Sequence, residues 1–207
     1  MASALVILKP DASYRLAVRT ALWSWLQEER GWKLAGLTWY RPPAELIEKH
    51  YDFLQGRPFF PWLVDFMSAL PVVVGQLEAE PADLERIRHD LGETQIQKAR
   101  PDSIRERYGI YGGVNCLHLS DSAESGLKET ALWAKYVQFD GVRPDHLAEG
   151  AGAPDHTYRL RSLAAQYGAG IHRDLAAEKI LNLLQEETDL GGLEFQAYSR
   201  IMLGAFD

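Results

Sequence analysis

The feature that most constrains the fold is an alternation of short apolar runs with stretches of helical spacing through residues 4–133. The apolar runs are typical of strands and lie at residues 4–8, 32–40, 71–77 and 114–119. Helical spacing predicts helices over residues 13–28, after Pro43, after Pro58, over 81–91, and from Ser120-Asp121 to about Trp133, with Gly31 ending the first. This order predicts an α+β domain with a small, largely antiparallel sheet, close to the split βαβ motif.

The composition limits the class of function. Of the 207 residues, 46% are hydrophobic and 25% are charged, which is ordinary for a folded domain. The formal net charge of −7 argues against a specific nucleic-acid binder, so any positive site must be local. With only Cys116, no signal-peptide pattern and no apolar run that could span a bilayer, we expect a cytoplasmic protein without membrane contact.

A second part of the chain follows residue 134. Residues 134–153 are predicted to be irregular and include a linker-like run at 149–154. Three amphipathic helical patterns follow, separated by Gly168 and Gly191-Gly192. We therefore divide the chain into a domain of residues 1–134 and a linker with a helical C-terminal extension, residues 135–207. Because each helix has an apolar stripe to bury, the extension is predicted to dock on the domain or a neighbouring subunit; a lid and a separate second function are the alternatives.

The first candidate for chemistry is His118. The strand over residues 114–119 would place it on one face with Cys116, which we interpret as a core thiol, with redox sensitivity as the alternative. Ser120 and Asp121 follow at a helix start, where free N–H groups and the helix dipole attract anions. A neutral imidazole beside an anion site is a candidate phosphate acceptor. The ordinary alternative is a satisfied structural histidine.

A nucleophilic histidine needs an acceptor for its other ring nitrogen. Glu129 is the candidate, because it shares a helix face with Ser122 and Ser125 and can point back toward the strand. The alternative is a solvated helix carboxylate.

Phosphate transfer also needs cations against the phosphate oxygens. Lys9 ends the first strand, Arg88 lies near a helix end with Thr94 just beyond it, and Arg105 lies in a long predicted loop over residues 93–113. Long ordered loops are usually functional, although each of these residues taken alone would be read as a surface group.

Taken together, these residues resemble the nucleoside diphosphate kinase family. The resemblance runs in order from residue 4 to residue 133 and is carried by several short motifs. They are Leu8-Lys9-Pro10-Asp11-Ala12, His50-Tyr51, Arg57-Pro58-Phe59-Phe60, Leu63-Val64, Pro71-Val72-Val73, Leu91-Gly92-Glu93-Thr94, Pro101 with Ile104-Arg105, Asn115-Cys116-Leu117-His118, and Ser120-Asp121-Ser122 through Glu129. The resemblance implies a ferredoxin-like fold, an antiparallel sheet flanked by helices, and a homo-oligomer built from dimers.

The resemblance also implies an activity and a catalytic set. The activity is transfer of the terminal phosphate of a nucleoside triphosphate to a nucleoside diphosphate through phosphorylated His118, in ping-pong order. Glu129 and Ser120 would orient His118, and Lys9 would assist.

Nucleotide binding is implied at further matching positions, of which Phe59 would stack on the base beside Leu63. Asp121 would reach the Mg²⁺ of the nucleotide, through water. The residues implied in binding are Lys9, Tyr51, Phe59, Leu63, Arg88, Thr94, Arg105 and Asn115.

Two departures from the family pattern motivate an alternative function. Leu119 stands where the family usually has glycine, so it would be strained if the position needs φ > 0, or would crowd the phosphate. Gly112-Gly113-Val114 replaces the usual Val-Gly-Arg, which removes a wall of the base slot and a cation. The alternative is a nucleotide-binding or scaffolding member with reduced or lost kinase activity.

A short repeat lies outside the resemblance. Pro144-Asp145-His146 recurs as Pro154-Asp155-His156, which predicts an aspartate N-cap at each helix start; a metal site is the alternative.

Overall fold

The computed structural model describes residues 1–27, 32–139 and 144–207. Its strands are β1 (Ala2–Leu8), β2 (Trp32–Tyr40), β3 (Val72–Ala79) and β4 (Leu117–Leu119). They form one antiparallel sheet in the order β2-β3-β1-β4. The helices of the described residues are α1 (Pro10–Ser13), α2 (Leu16–Gln27), α3 (Ala44–His50), α4 (Phe60–Ser68), α5 (Pro81–Leu91), α6 (Ile104–Tyr108), α7 (Ala123–Trp133), α8 (Pro144–Ala148), α9 (Thr157–Gly168), α10 (Arg173–Glu187) and α11 (Gly192–Gly204). The predicted α+β fold, an antiparallel sheet flanked by helices, is confirmed.

Strand β1 is one of the two inner strands of the sheet, and its buried side chains alternate between two parts of the core. Leu5 and Ile7 join a cluster with residues of α3, α4 and α7. Ala4, Val6 and Leu8 join a second cluster with residues of α2 and α5. The sheet therefore lies between two helical layers, and the end of β1 leads directly into Lys9.

Two predicted elements near the N-terminal half have different bounds. Pro10 starts a short helix early, because its fixed φ suits the first turn of a helix, and α2 begins only at Leu16. The predicted end at Glu28 and the break at Gly31 lie outside the described residues. The predicted loop over residues 93–113 contains a 3₁₀ turn at Ile96–Lys98 and the short helix α6.

Two predictions around His118 are wrong in detail. The strand predicted from residue 114 begins at Leu117, because Cys116 has a φ of 74°, which no extended strand accommodates. The N-cap of α7 is Ser122, whose side chain accepts the N–H of Ser125 at 3.1 Å. Ser120 does not cap α7, since its hydroxyl accepts the backbone N–H of Leu5 in β1 and donates to the side chain of Glu129 in α7.

The C-terminal helices pack against the rest of the chain. Buried residues of α9, α10 and α11 belong to the same core cluster as Leu5 and Ile7. The indole N–H of Trp62 in α4 donates to the carbonyl of Ile201 in α11 at 2.9 Å. Helix α8 lies within the stretch predicted to be irregular, of which residues 140–143 are outside the described part, and its Leu147 is buried beside α2. In the described parts of the chain, we find no helix long and apolar enough to cross a bilayer.

Candidate active site

A chain of hydrogen bonds fixes the imidazole of His118. Its Nε2 lies 2.8 Å from Oε2 of Glu129, which also accepts the hydroxyl of Ser120 at 2.6 Å. The Ser120 hydroxyl in turn accepts the backbone N–H of Leu5 at 2.8 Å. With Glu129 as the acceptor, Nε2 carries the proton and Nδ1 keeps its lone pair.

The ionised form of Glu129 suits this role. Burial alone would raise the pKa of the carboxyl, but the hydrogen bond and charge of His118, with His50 and Ser120, lower it. The side chains of His118 and Glu129 are 17% and 20% exposed, so the pair is mostly shielded from water and still reachable. Glu129 is therefore a carboxylate poised to stabilise positive charge on the ring.

Helix α7 brings Glu129 into place through a close contact with β1. A Cβ at Gly126 would lie 1.8 Å from the carbonyl oxygen of Ser3, so only glycine allows this approach. Glu129 follows three residues later and faces β4, as predicted from the spacing on α7.

His50, which the sequence interpretation gave no role, forms the inner wall of the site. Its ring centroid is 4.5 Å from that of His118 in an edge-on arrangement, and Tyr51 lies edge-on to both histidines. Trp133 donates its indole N–H to Nδ1 of His50 at 3.2 Å. Burial lowers the pKa of His50 to about 3, with the nearby His118 charge adding to the effect, so the ring is neutral. In the sequence, only the adjacency of His50 to Tyr51, a predicted nucleotide-binding residue, indicated a place for His50 in the site.

His50, His118 and Glu129 place potential metal-binding atoms within 4.8 Å of one another, the one such group of three among the described residues. Because Oε2 of Glu129 already accepts two hydrogen bonds, we interpret the group as a site that holds a proton on Nε2 of His118.

The Pro-Asp-His repeat lies in the C-terminal part of the chain. His156 hydrogen-bonds Glu186 at 2.8 Å, and Asp155 accepts the N–H of Thr157, the first residue of α9, at 3.0 Å. Asp155 thus caps α9 from one residue before the N-cap position. Asp145 is the second residue of α8, and its side chain lies outside the described part of the structure.

Cys116 and His118 do not share a face, contrary to the prediction. Cys116 is buried in the core cluster of Leu117 and Leu119, whereas His118 faces His50 on the other side of the sheet. The left-handed backbone at Cys116 breaks the alternation of the strand, and the buried carboxylate of Asp11 accepts its N–H at 2.9 Å. Burial raises the pKa of the Cys116 thiol, which agrees with a core thiol.

Lys9 and Asn115 lie together at the ends of β1 and the loop before β4. The Lys9 ammonium donates to Oδ1 of Asn115 at 2.7 Å and to the carbonyl of Gly113 at 3.2 Å. The Asn115 amide donates to the carbonyl of Thr94 at 2.8 Å. Burial, together with the charge of Arg105, lowers the pKa of Lys9 from 10.5 to about 8.

Three further predicted residues line a basic pocket of about 420 Å³. Arg105 donates to the carbonyls of Gly92 and Leu117 and contacts the Thr94 hydroxyl at 3.4 Å. Arg88 donates to the carbonyl of Leu119 at 3.1 Å, which places it beside β4. Burial lowers the pKa of Arg105 to about 10, so it remains a cation at neutral pH. The complete lining is Arg88, His89, Gly92, Glu93, Thr94, Lys98, Arg100 and Arg105.

The remaining predicted residues are less closely tied to His118. Phe59 and Leu63 lie one helical turn apart at the start of α4; Phe59 is 49% exposed and Leu63 is buried. Asp121 is exposed and accepts the hydroxyl of Ser125, a bond that lowers its pKa. Within the described residues, neither Phe59 nor Leu63 shares a hydrogen bond or ring contact with His118.

The two departures from the family pattern have structural explanations. Leu119 of β4 has no positive φ, pairs with Val6 of β1, and is buried on the sheet face opposite His118, so it neither strains the backbone nor crowds that ring. A Cβ at Gly113 would lie 2.9 Å from the ring of Trp62, which is bonded to α11. The glycine therefore makes room for a residue that contacts the C-terminal extension. Neither feature favours the scaffolding alternative.

Comparison with proteins of similar sequence points to one family. Residues 2–139 match the family described as nucleoside diphosphate kinase. The chain is 38% identical over 133 residues to the nucleoside diphosphate kinase of Chloroflexus aurantiacus, covering 64% of this chain and 87% of the relative. It is 36% identical over 163 residues to that of Pyrococcus furiosus, covering 77% of this chain and 94% of the relative.

Solved structures give the same result. The nucleoside diphosphate kinase of Aquifex aeolicus superposes with a TM-score of 0.58 at 35% identity, covering 68% of this chain and 99% of the other. The Halobacterium salinarum enzyme, solved in complex with CDP, gives a TM-score of 0.57 at 30% identity, covering 70% and 97%. The fold and the site define a member of a nucleotide phosphotransferase class. The chain belongs to the nucleoside diphosphate kinase family.

Proposed function

We propose that this protein is a nucleoside diphosphate kinase that works through a phosphohistidine on Nδ1 of His118. The observation that carries the proposal is the hydrogen bond from Nε2 of His118 to Glu129, which leaves Nδ1 as the ring nitrogen with a free lone pair. Family membership supports the same reaction, and the alternative of a scaffolding protein has no feature in its favour.

The first half-reaction phosphorylates the enzyme. Nδ1 attacks the γ-phosphorus of a nucleoside triphosphate carrying Mg²⁺, the N–P bond forms, and the bond from phosphorus to the β,γ-bridging oxygen breaks. The electron pair of that bond leaves with the nucleoside diphosphate. Positive charge develops on the ring while Nε2 keeps its proton, and Glu129, held by Ser120, stabilises that charge.

The second half-reaction runs in reverse on another nucleotide. A terminal phosphate oxygen of the incoming diphosphate attacks the phosphorus, the N–P bond breaks, and its electron pair returns to Nδ1. In both steps Arg88, Thr94 and Arg105 hold the β- and transferred phosphates, because these groups line the basic pocket. Asp121 would hold the Mg²⁺ carried by the nucleotide, through water, and the metal would neutralise charge on the phosphates.

Recognition of the nucleoside is loose in this proposal. Lys9 and Asn115 contact the ribose and phosphates, with Tyr51 beside them, and Phe59 stacks on the base beside Leu63. Half-exposed Phe59 offers a face that any base can cover, and the relative solved with CDP supports a pyrimidine nucleotide as one ligand. A cytoplasmic location and a homo-oligomer built from dimers belong to the same proposal.

Labelling with γ-labelled ATP and Mg²⁺ tests the reaction. Wild-type protein should form an acid-labile phosphoprotein that releases its label as triphosphate on addition of GDP, CDP or UDP. His118→Ala should take up no label, whereas His146→Ala, which removes an exposed histidine of α8, should label normally. Label on His118→Ala, or none on the wild type, overturns the proposal.

A further inference from the structure

The short helix α6 carries Arg105 at its second position and joins the basic pocket to the C-terminal extension. The last turn of any helix has backbone carbonyl groups that no N–H group of the helix reaches. Because α6 has only five residues, most of its carbonyl groups belong to this last turn. Here, two guanidinium groups from outside α6 contact them.

The first guanidinium belongs to Arg161 of α9, in the extension. Its Nε donates to the carbonyl of Gly109 at 2.7 Å, and one terminal nitrogen donates to the carbonyls of Arg105 and Glu106. Its other terminal nitrogen lies 3.6 Å from the Glu106 carboxylate. A cation at this end also compensates the negative end of the helix dipole.

The second guanidinium belongs to Arg15, which is fully buried between α1 and α2. It donates to the carbonyl of Tyr108 at 2.9 Å. Its charge is balanced by the extension, where Glu187 accepts two hydrogen bonds and Asp155 lies 3.1 Å away. The extension thus makes one of these contacts through Arg161 and supplies the counter-charges of the arginine that makes the other.

The side chain of Arg105 in α6 lines the pocket. The Arg105 side chain donates to the carbonyls of Gly92 and Leu117, and the Arg88 guanidinium lines the same cavity. A shift of α6 along its axis would therefore move the Arg105 guanidinium relative to His118, which follows Leu117.

We propose that Arg161 is a positioning residue for Arg105: by holding the end of α6, the extension sets the geometry of the phosphate-binding pocket. The inference rests on the proposed phosphate role of Arg105. Misplacement of a positioned group by about 1 Å can cost up to about a hundredfold in rate, so loss of one of two clamps should have a measurable kinetic effect.

Steady-state kinetics on Arg161→Ala tests the positioning role. We expect KM for the nucleoside diphosphate to rise about tenfold with kcat changed less than about threefold, because a looser phosphate clamp weakens binding more than the chemistry of His118. Arg161→Lys keeps the charge but not the planar fork, and should give an intermediate KM. Arg159→Ala, which removes an exposed arginine of the same helix, should match the wild type.

The outcomes separate this inference from the proposed function. Normal KM values in both Arg161 variants overturn the positioning role, even if their melting temperatures fall. If Arg161→Ala does not fold, Arg161→Lys decides alone, and a wild-type KM there overturns it. Absence of label on wild-type His118 overturns the proposed function first and this inference with it.

Discussion

The buried carboxylate of Asp11 accepts the backbone N–H of Cys116 at 2.9 Å, and Cys116 has a φ of 74°. The backbone of a non-glycine residue in this left-handed region is strained by about 1–2 kcal/mol. The hydrogen bond to Asp11 stabilises this strained conformation. The turn it fixes starts β4 at Leu117 and so aims His118 at His50 instead of at the opposite core. The Lys-Pro-Asp motif therefore contributes to the geometry of the nucleophile from a distant part of the chain, since Asp11 and Cys116 are 105 residues apart.

Removing this bond should destabilise the protein. Asp11→Ala leaves the buried N–H of Cys116 without its acceptor, and we expect the free energy of unfolding to fall by about 2–3 kcal/mol. Asp11→Asn, which keeps an oxygen acceptor, should lose less. Urea denaturation measures both, with exposed Asp52→Ala as the control expected within about 0.5 kcal/mol of wild type. Equal stability of Asp11→Ala and Asp52→Ala would show that the hydrogen bond between Asp11 and Cys116 does not stabilise the protein.

Glu129→Gln should separate orientation from charge. The glutamine oxygen can still accept Nε2–H of His118, but no carboxylate remains to stabilise the charged ring in the transition state. We expect phosphoenzyme formation in rapid-quench experiments to slow about a hundredfold. Glu124→Gln, on the exposed face of α7, should leave the rate unchanged. A rate within about twofold of wild type for Glu129→Gln would show that the charge has no catalytic role.

Lys9 should impose a pH dependence on nucleotide use. Burial lowers its pKa to about 8, so its positive charge, present below that pH, is lost above it. Because kcat/KM reports the free enzyme, it should fall as pH rises through about 8, and Lys9→Arg should remove this fall. A wild-type profile that stays flat up to about pH 9.5 would rule out a phosphate contact by this ammonium.

Deprotonation of Lys9 should also make the protein more stable as pH rises, whereas kcat/KM falls. Its folded-state pKa of about 8 lies below its unfolded value of 10.5, so between these values the unfolded chain binds more protons. The contribution of Lys9 to stability therefore rises with pH across that window. Comparing urea midpoints of wild type and Lys9→Met at pH 7.5 and 10 isolates this contribution, and it should be larger at the higher pH.

Local patterns allowed much of the fold and of the catalytic pair to be predicted. Strand runs and helix starts depend on residues close in sequence, and the helical spacing of Ser122, Ser125 and Glu129 was enough to point Glu129 at His118. The roles of the nucleotide-binding residues stay predictions, although Lys9, Asn115 and Thr94 are joined by hydrogen bonds.

What the sequence could not supply depends on contacts between distant segments. The φ of Cys116 follows from a carboxylate 105 positions away, and no period-2 pattern records it. The inward placement of His50 needs Trp133, and the two carboxylates that pair with Arg15 lie 140 and 172 residues further on. Such pairings are set by tertiary packing, which a single sequence does not encode in any local period.

Leu119→Gly should lower stability without raising activity. Leu119 is buried, lies in regular strand backbone and packs on the face opposite His118, so the glycine would open a cavity and gain no room for phosphate. We expect a loss of about 3–5 kcal/mol in the free energy of unfolding. The phosphorylation rate per folded molecule should stay within about twofold of wild type. A marked rate increase would instead support a chain whose activity is limited by Leu119.

Breaking the ion pair between Arg15 and Glu187 should be the most damaging change in the extension. Both side chains are buried, and Glu187→Ala leaves the guanidinium without its main counter-charge, which costs about 3–5 kcal/mol in comparable buried pairs. Urea denaturation of Glu187→Ala against Glu186→Ala, the exposed neighbour on α10, measures the difference. The double variant Arg15→Met with Glu187→Leu removes both charges and should recover much of the lost stability, because no buried charge is left unpaired. The KM of this double variant for nucleotide should still be higher than that of the wild type, since the contact from Arg15 to Tyr108 at the end of α6 is gone. Equal stability of Glu187→Ala and Glu186→Ala would show that the extension does not depend on this pair.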